Sequence, residues 1–314
     1  MQDKGLRNEP CSQNTSSSSP IMDSRNEEYA IAAAVILYHP DDTFIHNLET
    51  YYSAVAQIFI IDNTEDQALR VDWSRYPKVS YFHDGQNRGL AVRLNEAAGY
   101  AIAAGYHWLL TMDQDSWFTP QSITQYLQCF AGFAEKKQVA LFGPKFFREN
   151  QPLPLNCSWQ KAKRVITSGA LMNLQPFHQI GGFDEALFID SVDHEYCIKA
   201  SLAGYSIIEF QSVAMVHKVG CLINRSSIKT MFLVKKKKEV HPPLRCYYML
   251  RNLLYLQQKF AGQKVPLMPV IRRDVLKRIE KALFYGRNTR KLASFLLLAY
   301  RHFKENKMGK LEIL

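Results

Sequence analysis

Two carboxylates one residue apart, Asp113 and Asp115, end an apolar run from Trp108 to Met112. Acids at this spacing can share a divalent cation that also holds a diphosphate. The same residues with Ser116 also make an ordinary turn at a strand exit. Asp190, Asp193 and Glu195 form a second acidic group, downstream of Gly181-Gly182. A carboxylate there can act as a general base. The group can equally serve a helix start, where acids meet the positive end of the dipole. Asp62 closes the apolar run Gln57 to Ile61; it can hydrogen-bond a ribose or base edge, or simply close a turn. Asn87 suits a helix N-cap that leaves free amides beside such a site. Arg88 can meet a phosphate or stand in solvent. Ser168-Gly169 makes a small kink at which backbone can approach a ligand closely. His217 follows a late strand and can be a metal ligand or a structural residue.

These residues need a frame that gathers strand ends. Ala30 to Leu37, Gln57 to Ile61, Val79 to His83, Trp108 to Met112, Gln138 to Phe142, Val165 to Asn173 and Ser206 to Phe210 read as strands. Tyr38-His39-Pro40 stops the first strand, and a helix to about Ala54 follows. Leu90, Leu94, Ala97, Ala98 and Ala101 share one helical face. Thr119-Pro120 starts a helix to about Phe133, and a helix from Asp190 reaches Leu202 before Gly204. Strand-helix-strand alternation predicts right-handed parallel crossovers and an α/β sheet with its ligand crevice at the carboxyl edge. The glycines of Gly85-Gln-Asn-Arg-Gly89 form neither a phosphate-binding loop nor a dinucleotide fingerprint, which argues against kinase-like and dehydrogenase-like readings.

The chain has 314 residues, 47% of them hydrophobic, and a net charge of +10. That charge is uneven. Residues from Lys218 onward carry 23 Lys and Arg against 5 Asp and Glu, a net +18, while the rest carry 16 against 24, a net −8. An acidic body and a basic C-terminal region suggest different partners for each. The expected division is a disordered polar tail at 1–25, a catalytic domain at 26–224 and a basic, mainly helical region at 225–314. The irregular segment 145–164 is a candidate loop over the site. The six cysteines show no Cys-x-x-Cys spacing and read as free thiols. With no long apolar run and no apolar leader, a cytoplasmic protein is expected.

The ordered motifs resemble family 2 glycosyltransferases, and within them bacterial rhamnosyltransferases. The residues that carry this resemblance are Val35 to Pro40, Ile61-Asp-Asn63, Asn87 to Leu90 with Asn95, Met112 to Ser116, Thr167 to Ala170, Ile180 to Glu185, Phe188 to Glu195, Ala203-Gly-Tyr205 and the Tyr247-Tyr-x-x-Arg-Asn252 segment. The resemblance implies a GT-A fold with a central mixed, mostly parallel sheet. It implies a nucleotide-sugar donor, foremost dTDP-rhamnose, bound by Tyr38, His39, Asp62, Asn87, Arg88, Asp113, Gln114, Ser168 and Gly169. Asp113, Asp115 and His217 would bind Mg²⁺ or Mn²⁺. Asp193 would be the catalytic base, with Asp190 as runner-up because Val192 stands where the family's Glu-Asp motif carries its Glu. Gly181, Gly182, Asp190 and Glu195 would meet the acceptor.

The implied acceptor is a growing cell-surface or lipid-linked glycan. Basic and apolar residues at helical spacing near the C-terminus would lie on anionic membrane, or pack on the catalytic domain or a partner subunit, so a homo-oligomer is compatible. UDP-galactose, UDP-glucose and UDP-galactofuranose are the alternative donors. A catalytically dead sugar-nucleotide-binding module is a rival reading. So is a nucleic-acid binder, which leaves Asp113, Asp115 and Asp193 without a task; no nucleic-acid partner is expected.

Overall fold

The computed structural model describes residues 30–65, 67–146, 154, 156–217, 222–225, 236–286 and 288–312. The 1–25 tail, residues 147–153 of the expected loop, Lys235, Cys11 and Cys221 lie outside them.

The first half of the chain alternates strands and helices. Strands β1 (Ile31–Leu37), β2 (Gln57–Asp62), β3 (Val79–His83) and β4 (Trp108–Asp113) pair in parallel in the order β3-β2-β1-β4. Helices α1 (Thr43–Tyr52) and α2 (Leu90–Ala103) supply two of the crossovers. The remaining strands are β5 (Ser116–Phe118), β6 (Val139–Phe146), β7 (Trp159–Lys161), β8 (Ala170–Asn173) and β9 (Ser206–His217). β8 is antiparallel to both β4 and β6, whereas β6 and β9 run parallel. β5 and β7 pair antiparallel with β9. The sheet is therefore mixed, as expected, though its pairings among the described strands are four parallel and four antiparallel rather than mostly parallel. Helices α3 (Pro120–Gly132), α4 (Leu174–Gln179), α5 (Val192–Leu202), α6 (Pro243–Lys259), α7 (Met268–Tyr285) and α8 (Thr289–Lys304) complete the secondary structure, with the hairpin β10 (Leu222–Arg225) and β11 (Lys236–Glu239).

Alternation along β1 explains why nearly all of it is apolar. Ala32 and Ala34 face one core layer with Ala91, Leu94, Ala97, Ala98 and Ala101 of α2. Ile31, Ala33, Val35 and Leu37 face the other, with Phe44, Leu48 and Tyr51 of α1 and Tyr126 and Phe130 of α3. Both faces are covered, so a polar residue on either would lose roughly the 1.5–3 kcal/mol that burying a large apolar side chain contributes. The first layer also takes in Met249, Leu253 and Leu256 of α6 and Ile271 and Val275 of α7. These helices of the basic region thus share the core of the sheet.

Several expectations change. β8 starts at Ala170 rather than Val165, because Gly169 turns left-handed (φ 76°) and donates its amide to the Thr111 carbonyl at 2.7 Å. The N-cap of α2 is Gly89, not Asn87. Cys129 and Cys157 are not free thiols; they form a disulfide between α3 and the segment before β7. Their Cα atoms are 5.4 Å apart because β7 hydrogen-bonds to β9, alongside which α3 packs. Cys197 and Cys246 are free and buried. Among the described residues, no helix is long and apolar enough to cross a membrane.

Candidate active site

The carboxyl ends of β1, β2 and β4 form one edge, with Leu37 in register with Asp62 and Ile36 with Asp113. Beyond this edge Tyr38 and Gln114 continue the pairing through an amide. The Tyr38 backbone N–H donates to Gln114 Oε1 at 2.7 Å, and Gln114 Nε2 donates to the Tyr38 carbonyl at 3.1 Å. Asn47 of α1 holds the Gln114 carbonyl at 2.8 Å. The Tyr38 ring is left 47% exposed on the rim. His39 takes a left-handed conformation (φ 44°), its amide tied to Thr64 Oγ1 and its ring beside Glu65.

Asp62 lies beneath this rim and is only 1% exposed. Its carboxylate accepts the Tyr81 hydroxyl at 2.8 Å and the Thr64 amide at 3.0 Å. Burial, then the hydrogen bond to Asp62, pushes the Tyr81 phenol up, so Tyr81 stays a donor. Asp62 therefore sets the shape of the 62–64 turn.

The loop before α2 is built around Asn63. Its Oδ1 accepts the Arg88 amide at 2.8 Å and Arg93 Nε at 3.0 Å, and its Nδ2 donates to Asn87 Oδ1 at 2.9 Å. Asn87 thus bridges Asn63 and the Gly89 amide instead of capping the helix. The Arg88 guanidinium pairs with Glu96. The buried Arg93 ties Asp84 and Glu96 to the same loop. Gly89 packs against Phe188, whose carbonyl accepts the Leu90 amide at 2.7 Å. The start of α2 is thereby sealed to the turn that precedes α5.

Asp113 and Asp115 are both half-buried at the end of β4. The Asp113 amide donates to Ser168 Oγ at 3.2 Å, which places the Ser168-Gly169 turn beside it. The crowding at Gly169 comes from protein: a Cβ there would lie 2.6 Å from Met215 Sδ and 2.9 Å from Pro144 Cγ. Gly169 is thus required by packing, whereas the sequence suggested a close ligand approach. Backbone register sets His217 opposite Ser116, next to Asp115; its side chain lies outside the described residues. Two hard oxygen donors suit Mg²⁺ or Mn²⁺, which retain waters and take substrate phosphates as further ligands. Among the described residues no group of three or more His, Cys, Asp or Glu side chains converges. The pair fits an ion that arrives with a diphosphate.

Asp190 and Ser191 are consecutive left-handed residues (φ 64° and 67°), which turn the chain sharply into α5. Arg245 of α6 contacts both Asp190 oxygens at 3.2 and 3.3 Å. Both oxygens of the runner-up base are thus engaged by Arg245. Asp193 follows in the first turn of α5 and lines a small cavity with Thr111, Thr167, Ala170 and Tyr196. That cavity adjoins Asp113 and Ser168 in the chain. Asp193 Oδ1 accepts the His194 amide at 2.8 Å.

The two acceptor expectations that concern Gly182 and Glu195 change. Glu195 is 0% exposed and paired with Lys259 at 2.8 Å and Lys199 at 3.3 Å. It is drawn into the core, and burial pushes its carboxyl up. Gly182 is buried against Asn95 and Phe177, and Asn95 pins the following turn through the Phe183 amide and carbonyl. Gly181 remains exposed at the same turn.

Sequence reading passed over Arg93, Arg164 and Lys259, and it gave no role to Asn63, His194, Arg251 and Asn252, which lie in the motifs quoted for the resemblance. Arg93 carries the clearest missed signal, a charge placed among the apolar positions of α2. The others act across long sequence separations that no local pattern reports.

A profile of the family described as "Glycosyl transferase family 2" matches residues 44–152. The dTDP-rhamnosyl transferase RfbF of Shigella flexneri is 25% identical over 284 residues, covering 83% of this chain and 90% of that protein. Among solved structures, GalNAc-T7 with UDP, GalNAc and Mn²⁺ is similar with a TM-score of 0.53 at 12% identity. That match covers 88% of this chain and 56% of the other. S. aureus TarS gives 0.49 at 13% identity, over 82% of this chain and 44% of that one. This chain thus spans about half the length of those two structures. The match to GalNAc-T7 is one of fold, and the mixed sheet with its helical C-terminal region agrees with it. Residues 44–152 carry a family 2 glycosyltransferase domain on a GT-A-like fold, and the chain is a glycosyltransferase similar over most of its length to a dTDP-rhamnosyl transferase.

Proposed function

We propose that the protein transfers L-rhamnose from dTDP-rhamnose, with inversion, to a hydroxyl of a growing glycan, foremost a lipid-linked cell-surface one. The observation that supports the reading is the acid pair Asp113 and Asp115 at the end of β4, beside the Ser168-Gly169 turn, with Asp193 lining a small cavity together with Thr111 and Thr167 of the two neighbouring segments. Similarity to a dTDP-rhamnosyl transferase supports the choice of donor. The nucleotide lies over the Tyr38 and Asp62–Thr64 rim, with the amides of the 87–89 loop beside it. Asp113 and Asp115, with His217 as a third candidate, would hold Mg²⁺ or Mn²⁺, which supplies Lewis-acid neutralisation of the departing diphosphate.

Asp193 Oδ2 receives the proton of the acceptor hydroxyl. The acceptor oxygen forms its bond to the anomeric carbon, and the bond from that carbon to the diphosphate oxygen breaks with its electron pair. One base suffices, because no glycosyl-enzyme forms. The acceptor enters over Gly181 and the turn before α5. The exposed Leu297 and Tyr300 of α8, flanked by Arg301 and Lys304, would rest on an anionic membrane surface that carries the acceptor.

The test is a donor screen with dTDP-rhamnose, UDP-galactose, UDP-glucose and UDP-galactofuranose in Mg²⁺ or Mn²⁺. Preference for a uridine donor overturns the rhamnose assignment. Asp193→Asn should keep donor binding and lose at least about 10²-fold in turnover. Undiminished turnover removes Asp193 as the base.

A further inference from the structure

Beside Asp193 stands a histidine that the transfer scheme does not use. His194 Nε2 lies 2.9 Å from Arg164 Nη1, and Arg164 Nη2 donates to Asp274 Oδ2 at 2.7 Å. Guanidinium has donors and no acceptor. Nε2 must therefore accept, and the ring proton of a neutral His194 sits on Nδ1. Nδ1 is buried, has no hydrogen-bond partner among the described residues, and lies 3.8 Å from Asp193 Oδ1. A buried donor without a partner is costly, and this one faces the proposed base.

We propose that Asp274, Arg164 and His194 form a positioning relay that fixes the His194 tautomer and aims its Nδ1–H at Asp193 Oδ1. This rests on the reading of Asp193 as the base. Oδ1 already accepts the His194 amide. A second donor on the same oxygen holds the carboxylate in one rotamer and leaves Oδ2 to take the acceptor's proton. The 3.8 Å gap closes by a small ring movement when the site fills, as hydrogen bonds of empty sites commonly tighten in the complex. Arg164 lies three residues beyond β7, at the end of the 145–164 segment, and Asp274 belongs to α7. The relay therefore carries the C-terminal helices' position to the base. His194 is a positioning residue in this scheme, since it touches neither donor nor acceptor.

The full chain is assayed with dTDP-rhamnose and Mg²⁺, with water as acceptor and dTDP release as readout. Arg164→Met and His194→Leu should lower kcat about tenfold to a hundredfold and leave the donor KM within about twofold. His194→Asn, whose amide nitrogen falls near the Nδ1 position, should recover most of the loss. Long-range ¹H–¹⁵N spectra of the histidine rings, with the His194 signal assigned by its absence in His194→Leu, should show Nδ1–H in the wild type. Arg164→Met should shift that ring toward Nε2–H. Nε2–H in the wild type overturns the relay, as does full kcat in His194→Leu or a loss confined to KM. Asp193→Asn separates the two ideas. Full hydrolysis by that variant removes the base itself, whereas an inactive Asp193→Asn beside a fully active His194→Leu removes only the relay.

Discussion

Asn252 of α6 donates both hydrogens of its amide to neighbouring carbonyls, those of Ile189 and Asp190, at 2.8 Å each. It thereby holds the paired left-handed residues Asp190 and Ser191, a conformation that costs about 1–2 kcal/mol per non-glycine residue. The preceding Arg251 performs the same service for the C-terminal segment, donating to the carbonyls of Lys307 and Gly309. Asn252→Leu fills similar volume but strands two buried carbonyls. It should destabilise the fold by roughly 2–4 kcal/mol, read as a lower urea midpoint. Because the freed turn carries Asp193, kcat should fall more than donor affinity.

Gly89 makes the other seam of the site. At φ 89°, a Cβ would come within 2.5 Å of Phe188 Cδ2 and 2.7 Å of the Phe188 carbonyl. Backbone cannot yield as a flexible side chain would. Gly89→Ala should cost about 2–4 kcal/mol from strain and overpacking together. Thermal melts check the stability. Donor titration should show weakened binding, since the Asn63–Asn87 loop beside the proposed nucleotide site shifts with the seam.

Much of the frame was legible because apolar runs ending in acids mark strand exits. β1, β2 and β4 and their terminal Asp62 and Asp113 lie where the residue pattern placed them. The departures share one cause, which is contact over long sequence separation. Asn87 resembles a cap, but Asn63 takes its side chain. Glu195 resembles a surface acid of a helix start, but Lys259, 64 residues away, draws it inside. Cys129 and Cys157 resemble free thiols until β7 joins β9. Arg164 and His194, 30 residues apart, meet only because β7 and α5 are both brought to β9.

Lys259 sits between Asp184 and Glu195. Burial lowers its pKa, but the two carboxylates overcome this and raise it well above the ordinary lysine value. Burial likewise raises Asp184, and Lys259 and Tyr255 more than reverse it. A raised lysine contributes stability that is full at neutral pH and fades as pH climbs through the raised value. A lowered carboxyl contributes stability that is lost as pH falls through its lowered value. Lys259→Met should cost toward the lower end of about 3–5 kcal/mol, since Lys199 still faces Glu195. The gap between wild type and variant should be widest around neutral pH and shrink as pH climbs through the raised lysine value or falls through the carboxyl values, the raised Glu195 first and the lowered Asp184 last. Urea midpoints across pH measure it, and a gap that widens with alkali contradicts the sign.

The Cys129–Cys157 bridge spans 28 residues of chain. A closed loop of that size contributes about 3–4 kcal/mol by restricting the unfolded chain. Cys129→Ser with Cys157→Ser should lower the urea midpoint accordingly in oxidised protein. Alkylation counted by mass under denaturing conditions should find one disulfide before reductant and none after. Equal midpoints with and without reductant would show that the bridge adds no stability.

The outer face of α8 tests the membrane reading. Leu297 is 72% and Tyr300 54% exposed, one helical turn apart, while Leu292 and Ala299 are buried on the opposite side. On α7, Leu283 and Phe284 are also exposed beside Lys281. An interfacial helix needs both an apolar face and nearby cations, each of which adds about 1 kcal/mol near an anionic surface. Vesicles of phosphatidylglycerol and phosphatidylcholine should sediment the protein, pure phosphatidylcholine should not, and salt should weaken binding. Leu297→Asp should reduce sedimentation about tenfold or more, since burying one leucine contributes roughly 1.5–3 kcal/mol and tenfold corresponds to about 1.4 kcal/mol. Its hydrolysis of dTDP-rhamnose in solution should stay unchanged, because α8's outer face lies apart from Asp113 and Asp193. Equal binding by Leu297→Asp and wild type would mean that this face does not meet lipid.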